Sequence, residues 1–485
     1  MNIVCTVSQT QTLSSTKVHK QKYNNIFVLL CMLLSALVQG LLAFLLLNNL
    51  RQIWFYGIVI DSGSSRSNIY LYEWLGEKEN ETGVVMEKLN CNVSGVPISE
   101  LKIDPKKDAQ TWEGFKKCMK NVLAAIPVEK HKTTPLFLGA TAGMRLLHEI
   151  LNSLEVYLQS LPFDFQNASI ITGQEEGLYG WITVNYLMGN FLEKWFLPGT
   201  VGSMDLGGAS TQIAFAVDEE LNGPDYMHIK LYGYPYNVYT HSFLCYGKNE
   251  AEKRVLDKVI QDINNPCYPI GVNVTIQASA IYDTKCTKKP KNYSQDQQYF
   301  MVGSGNSDQC GRIVNSIFDF TNCSSAHCSF NGVEQPPVTG EFMVRRNPFV
   351  TKTYISDLQH FYPNHKITIS NSFLPFQLKD QKTWVSDKHL RTYCFASHYI
   401  FALLTNGYKF DTNTWKDIHF QKEVKNTSVG WSLGYMLNSS SMIPSEMNEV
   451  FPLTDPVFAG LIFLFSALTV VTVILIFIIL IRTCY

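Results

Sequence analysis

The chain carries no excess of charge of either sign: 40 Lys and Arg face 41 Asp and Glu, a formal net charge of −1. Without a basic surplus there is no electrostatic footprint for nucleic acid. C-x-x-C pairs, His-bearing zinc spacings and histidine clusters are also missing, which argues against zinc chemistry. No Ser-His-Asp or Cys-His arrangement stands out, so a covalent nucleophile of those kinds is not indicated. Charge is absent altogether from two long runs, residues 26–47 and 457–481. Each is long enough to cross a hydrocarbon core of about 30 Å.

Lys17, Lys20 and Lys22 precede the first run and Arg482 follows the second. The first run is too long for a usual signal-peptide core and reads as an anchor. The positive-inside rule then puts both termini in the cytosol and residues 48–456 outside the cell or in a lumen. Glycosylation sequons at Asn80, Asn92, Asn167, Asn273, Asn292, Asn322, Asn426 and Asn438 all lie between the runs, as a secreted-path ectodomain requires. So do Cys91, Cys118, Cys245, Cys267, Cys286, Cys310, Cys323, Cys328 and Cys394, an odd number for a disulfide framework.

At 485 residues the chain can hold two or three domains. Residues 77–83 read as a charged, glycosylatable turn after an opening hairpin. Residues 111–126 show helical spacing. TPLFLGATAGMRLL reads as strand, glycine turn and helix, and ASIITGQEEGLYGWITVNYLMG repeats that grammar, with its helix starting at the two glutamates. Such alternation predicts an α/β architecture. Residues 266–328 read as disulfide-pinned loops, and 343–390 show the least periodicity.

One pattern occurs twice. IVIDSGSSRSNIYLY and SMDLGGASTQIAF both run apolar residues into Asp, a residue, Gly and small or hydroxyl residues, then return as a strand. Asp61 and Asp205 are 144 residues apart, a domain-scale repeat. A single copy could be an ordinary hairpin turn; two suggest matched loops facing a shared cleft. A polyphosphate held there needs donors for its oxygens, a cation to spread the charge and a group that activates a nucleophile. Ser64, Ser65 and Arg66 on one turn, and Gly207, Gly208, Ala209, Ser210 and Gln212 on the other, supply donors. Thr141 offers a third hydroxyl, and Arg145 beyond it reads as an ion-pair residue. Asp61 and Asp205 suit a hydrated Mg²⁺ or Ca²⁺. A carboxylate must activate water, and composition does not choose between Glu175 and Glu176.

IDSGSS, LGATAGMR, ITGQEEGLYGWITVNYLMG, MDLGGASTQIAF and GWSLGYMLN resemble, in order, the five apyrase conserved regions of the ecto-nucleoside triphosphate diphosphohydrolases. YLMGNFLEK and YTHSFLCYGKNEAEK look closest to the cell-surface subtype numbered three. The resemblance implies a two-lobed, ribonuclease H-like α/β ectodomain of the actin, hexokinase and heat-shock-ATPase superfamily. Lobe I would span residues 49–172 plus 422–455 and lobe II 173–421. Transmembrane helices would cover 25–48 and 456–481, and cytosolic tails 1–24 and 482–485. The resemblance assigns the catalytic base to Glu176, phosphate binding to the two turns, and water-mediated Ca²⁺ or Mg²⁺ binding to Asp61 and Asp205 with Trp431 nearby. It implies disulfides Cys91–Cys118, Cys245–Cys286, Cys267–Cys310 and Cys323–Cys328.

Extracellular nucleoside tri- and diphosphates (ATP, ADP, UTP, UDP) would be cut to monophosphate and phosphate without a phosphoenzyme, at the plasma membrane. The implied partners are nucleotides and the lipid bilayer through two spans, with a homo-oligomer compatible and nucleic acid excluded. Two departures stand out. Ser62 replaces the family's usual Ala. Residues 343–390 lack the family's aromatic-rich helix and the cysteine that would pair with Cys394. A catalytically impaired nucleotide-binding membrane glycoprotein is therefore the alternative, and a sugar kinase of the same superfamily a weaker rival.

Overall fold

The strand that begins at Trp54 is buried from Tyr56 to Ser62, which is why it reads as an unbroken apolar run: both of its faces are covered. This is β1 (Trp54–Ser62) of a computed structural model. It describes residues 30, 33–35, 37–41, 54–63, 66–76, 78–79, 82–95, 109–142, 151–191, 199–218, 222–322, 327–345, 391–421, 423–442 and 455–484. The chain divides into two units, one of residues 54–444 and one of residues 1–53 with 445–485.

The larger unit holds two sheets built on one plan. In the first, β1 lies between β2 (Ser67–Leu75), antiparallel, and β4 (Pro135–Ala140), parallel. Outside them lie β3 (Met86–Asn92) beside β2 and β5 (Asp164–Ile170) beside β4. The order is thus third, second, first, fourth, fifth. In the second sheet β6 (Gly202–Leu206) takes the place of β1, with β7 (Ser210–Ala216) antiparallel to it. A hairpin of β8 (Tyr226–Leu231) and β9 (Tyr234–Leu244) continues that side. β10 (Phe342–Arg345) and β11 (Ile418–Gln421) run parallel on the other. With β8 set aside as an added edge, the strand order of the first sheet recurs. The Asp-Gly repeat in the sequence is therefore a repeat of sheet topology.

Each sheet is followed by a helix that packs between the two sheets. After the first comes α3 (Gly173–Met188), and after the second α7 (Trp431–Met442). One buried cluster joins Val59 and Trp74 of the first sheet, Ala214 and Val238 of the second, and Trp181 and Trp431 of the helices. The helices touch through Gly434, where a Cβ would collide with the Tyr179 backbone. The Thr183 hydroxyl links them: it donates to Gly430 O at 2.6 Å and accepts from Gly434 N–H at 2.8 Å.

Other helices cover the outer faces. α1 (Ala109–Ala125) buries Phe115, Cys118, Met119 and Val122 against Ile58, Ile60 and Leu138, as its periodicity predicts. α2 (Leu151–Gln159) lies in the crossover from β4 to β5. α4 (Lys248–Val259), α5 (Ser307–Asn315) and α6 (Tyr393–Ala402) follow β9 in chain order, and residues from all three join Phe215 and Phe342 in a core on the second sheet.

Several details depart from the sequence reading. The helix at the two glutamates starts earlier, at Gly173, because Thr172 caps it. The charged turn at 77–83 is anchored: Thr82 and Gly83 are buried, Gly83 N–H donates to Ser440 Oγ at 3.1 Å, and Tyr232 OH donates to Gly83 O at 3.0 Å. The loop-rich region 266–328 holds two strands, Asn273–Gln277 and Gln298–Gly303, of a three-stranded sheet that Asn264–Asn265, just before it, completes. Asn92, Asn167, Asn273, Asn292, Asn322 and Asn426 are exposed. Asn438 is half-buried within α7, a poor place for a glycan, and Asn80 lies outside the described residues.

Cys91–Cys118, Cys245–Cys286 and Cys267–Cys310 form as expected. Cys328 is disulfide-bonded, and its expected partner Cys323 lies outside the described residues. Cys394 is a free thiol, pushed up to about 11 by burial. Its sulfur lies within 4.8 Å of Cys310 Sγ and a His398 ring nitrogen. Cys310 is already bridged, so this trio is no metal site.

In the other unit, α8 (Asp455–Cys484) contains Ala459–Ile478, long and apolar enough to cross a membrane. Of the first expected span, 25–48, only residues 30, 33–35 and 37–41 are described, and they are helical.

Candidate active site

The two Asp-Gly turns have the same geometry. Asp61 pairs across its hairpin with Asn68, and Asp205 pairs with Gln212. In the first turn Gly63 N–H donates to Arg66 O, and in the second Gly207 N–H donates to Ser210 O, each at 3.0 Å. Of the first turn's expected phosphate donors, Arg66 is exposed, and Ser64 and Ser65 lie outside the described residues. In the second turn the carbonyls of Gly207, Gly208 and Ala209 accept from Lys248, Asn249, Glu250 and Cys245 N–H groups around the start of α4. The N–H groups of Gly208 and Ala209 donate to nothing among the described residues. Gly247 permits this docking, since a Cβ there would collide with the backbone of Gly208 and Ala209. Thr141 is buried beside the first turn, its N–H donating to Ser62 O at 3.1 Å. Arg145 lies outside the described residues.

The two glutamates opening α3 have different surroundings. Glu175 forms a capping box with Thr172: Thr172 N–H donates to Glu175 Oε2 at 2.7 Å, and Glu175 N–H donates to Thr172 Oγ1 at 3.1 Å. Glu176 is buried and accepts from Gln212 Nε2 at 3.0 Å, reaching the Asp205 hairpin. The same nitrogen lies 2.7 Å from Ser210 Oγ and 2.9 Å from Ser242 Oγ, whereas Gln212 Oε1 is buried without a partner. One glutamate thus caps a helix and the other faces the second turn.

Asp61 is buried, and burial raises its carboxyl above the ordinary value. Arg345, the Trp431 indole N–H and Arg66 pull it back, and Asp205 adds to the rise. Trp431 lies against β4 at Gly139, the residue beside Asp61, where a Cβ would strike its ring. Its Nε1 is buried and makes no direct hydrogen bond, and the Ser62 hydroxyl is likewise buried without a partner. Three orphaned polar atoms (Ser62 Oγ, Gln212 Oε1 and Trp431 Nε1) therefore belong to the site residues. Two carboxylates with an unsatisfied indole N–H form a donor set that fits a hydrated divalent cation.

Arg345 was not foreseen. It ends β10, directly beside Asp205 on β6, and its Nη1 donates to Asp205 Oδ2 at 3.0 Å. Strand alternation sends Phe342 and Val344 into the core on the far side of the second sheet and Met343 into the cluster of Trp431, so Arg345 shares the inner face. Burial opposes its charge, but Asp205, Tyr70 and Asp61 outweigh it and keep the guanidinium protonated. The signal in the sequence was slight: FMVR, a short apolar run ended by a charge after Gly340. Thr183 and Gly430, which set the start of α7 and hence Trp431, were also not singled out.

Residues 49–451 match the GDA1/CD39 (nucleoside phosphatase) family. The chain is 42% identical to human ectonucleoside triphosphate diphosphohydrolase 3 over 445 residues, covering 85% of this chain and 83% of that protein. It is 41% identical to chicken ectonucleoside triphosphate diphosphohydrolase 2, covering 81% and 84%. The fold resembles a crystal structure of nucleoside triphosphate hydrolases from Neospora caninum, with a TM-score of 0.51 at 15% identity, covering 81% of this chain and 93% of that one. With the five motifs in order and a family match across the whole of the larger unit, this chain belongs to the GDA1/CD39 (nucleoside phosphatase) family.

Proposed function

We propose that the chain is a cell-surface nucleoside triphosphate diphosphohydrolase that removes the terminal phosphate of extracellular ATP, ADP, UTP and UDP. The observation that carries this reading is the unequal fate of the two glutamates. Glu175 is engaged in a capping box, and Glu176 is buried and bonded to Gln212 of the Asp205 hairpin. Glu176 takes a proton from water as the water oxygen attacks the terminal phosphorus in line; the bond from that phosphorus to the bridging oxygen breaks, the shortened nucleotide leaves and the attacked group is released as inorganic phosphate. Gln212 orients the Glu176 carboxylate. The N–H groups of Gly208 and Ala209, the hydroxyls of Ser210 and Thr141, and Ser64, Ser65 and Arg66 hold phosphate oxygens. Asp61 and Asp205, with Trp431, would hold a hydrated Ca²⁺ or Mg²⁺, which spreads the polyphosphate charge when bound.

The duplicated strand order supports a two-lobed, actin-like arrangement with this cleft between the lobes. The apolar helix at 459–478, the exposed sequons and the disulfides support an ectodomain outside the cell with a span at its C-terminal side; the charge-free run at 26–47 and the lysines before it are our ground for a second span with cytosolic termini. The test is phosphate release from ATP and ADP by the chain displayed on cells, with Ca²⁺ and with EDTA. Glu176→Gln is expected to lower release about 10²–10⁴-fold. Glu175→Gln keeps most of it, because Gln still completes a capping box. Release that survives EDTA or Glu176→Gln overturns this mechanism.

One observation favours a second reading. Arg345 stands against Asp205 at the start of the segment that departs from the family. On that reading the chain is a catalytically impaired nucleotide-binding membrane glycoprotein. A folded, surface-displayed protein that releases no phosphate would select it.

A further inference from the structure

The two sheets differ at one equivalent position. The parallel neighbour of the first sheet sets Gly139 beside Asp61, which leaves room for the Trp431 ring. The parallel neighbour of the second sets Arg345 beside Asp205, and its guanidinium bonds that carboxylate. The guanidinium lies against Gly430: a Cβ there would stand 3.4 Å from each of its Cζ, Nη1 and Nη2 atoms. It is held on one side by the Gly430 backbone and on the other by Asp205 Oδ2, 3.0 Å away. The arginine and aspartate side chains are 17% and 23% exposed, so solvent screens the pair little. Arg345 also acts electrostatically on Asp61, so one fixed positive charge serves both carboxylates.

A divalent cation drawn to this pair of carboxylates meets two obstacles. One Asp205 oxygen is already accepting an N–H, and a unit positive charge already sits beside the carboxylates. Like charges a few ångströms apart in a partly desolvated site repel strongly. The guanidinium takes one acceptor site of Asp205 and sets a positive charge where the hydrated metal would approach, so the two compete for this carboxylate.

We propose that Arg345 is a built-in cation that competes with the divalent metal for Asp205, an autoinhibitory contact that weakens metal binding by this chain. The proposal rests on the metal-assisted reading of the site given above. Without metal the arginine offsets one of the two carboxylate charges. With metal it shares or cedes Asp205.

The test is a calorimetric Ca²⁺ titration of the full chain in detergent, beside Arg345→Gln, Arg345→Ala and Arg345→Lys. Circular dichroism checks the fold of each, and phosphate release from ATP is measured on the same samples. Removing the charge in Arg345→Gln or Arg345→Ala is expected to tighten Ca²⁺ binding at least about tenfold, whereas Arg345→Lys stays near the parent. Gln keeps much of the side chain and can still bond Asp205, so it stands in if Ala fails to fold. Folded Gln or Ala variants that bind Ca²⁺ no more tightly than the parent overturn the proposal. So does an Arg345→Lys variant that binds as tightly as Arg345→Gln. Phosphate release separates the two claims. Tight Ca²⁺ binding by Arg345→Gln with no release leaves the competition standing and removes the hydrolase reading. Release by the parent with unchanged Ca²⁺ affinity in the variants does the reverse.

Discussion

The hairpins at Asp61 and Asp205 share a turn, a cross-strand register and a place in their sheets, yet their carboxylates live differently. Asp61 is buried, and its parallel neighbour is a glycine against which the Trp431 ring packs. Asp205 is more open and bonded to an arginine, and the turn after it is tied to the start of α4 by the carbonyls of Gly207, Gly208 and Ala209. A duplicated backbone thus fixes where two acidic groups point. What each group does is set by the residue that the neighbouring strand places next to it.

Three substitutions test the difference between the two hairpins. The largest effect is expected from Gly247→Ala, whose methyl meets backbone of the second turn rather than a side chain that can move. We expect a loss of about 3 kcal/mol in urea unfolding of the larger unit, with the first hairpin keeping its hydrogen-exchange protection. Asp205→Asn comes next, because it leaves Arg345 without its partner. For a pair this enclosed but still partly solvated, the expected loss is about 2 kcal/mol in EDTA, read as a lower unfolding midpoint. Asp61→Asn is expected to act in the opposite direction and by less. The ionised Asp61 carries a burial penalty that Arg345 and Trp431 only partly offset, so the neutral amide should raise the midpoint in EDTA. Equal losses in the two Asn variants would show that the carboxylates are equivalent after all.

Much of this was legible in the sequence, and for identifiable reasons. The first Asp-Gly hairpin could be read from the apolar run that enters it and the second from the repeat of its Asp, Gly and small residues. The helix at 109–125 showed its buried stripe. The choice between Glu175 and Glu176 was not legible in local pattern, because both sit in the first turn of one helix; only the family resemblance pointed to Glu176. That choice follows from Thr172, which captures the side chain three residues on and leaves the next to face inward. Arg345 was hidden for another reason. Its strand has only four residues, and its partner Asp205 is 140 residues away. No local period reveals such a pairing.

The sequence by itself determined the class of architecture, the two acidic turns and the family, because these depend on local patterns: hydrophobic period, glycine at turns, and motifs in fixed order. Only the tertiary structure decided which glutamate faces the second turn and which residue stands beside each aspartate. Those depend on parallel strand register and on helix packing between sheets, which join residues far apart in the chain through contacts that leave no mark on neighbouring positions.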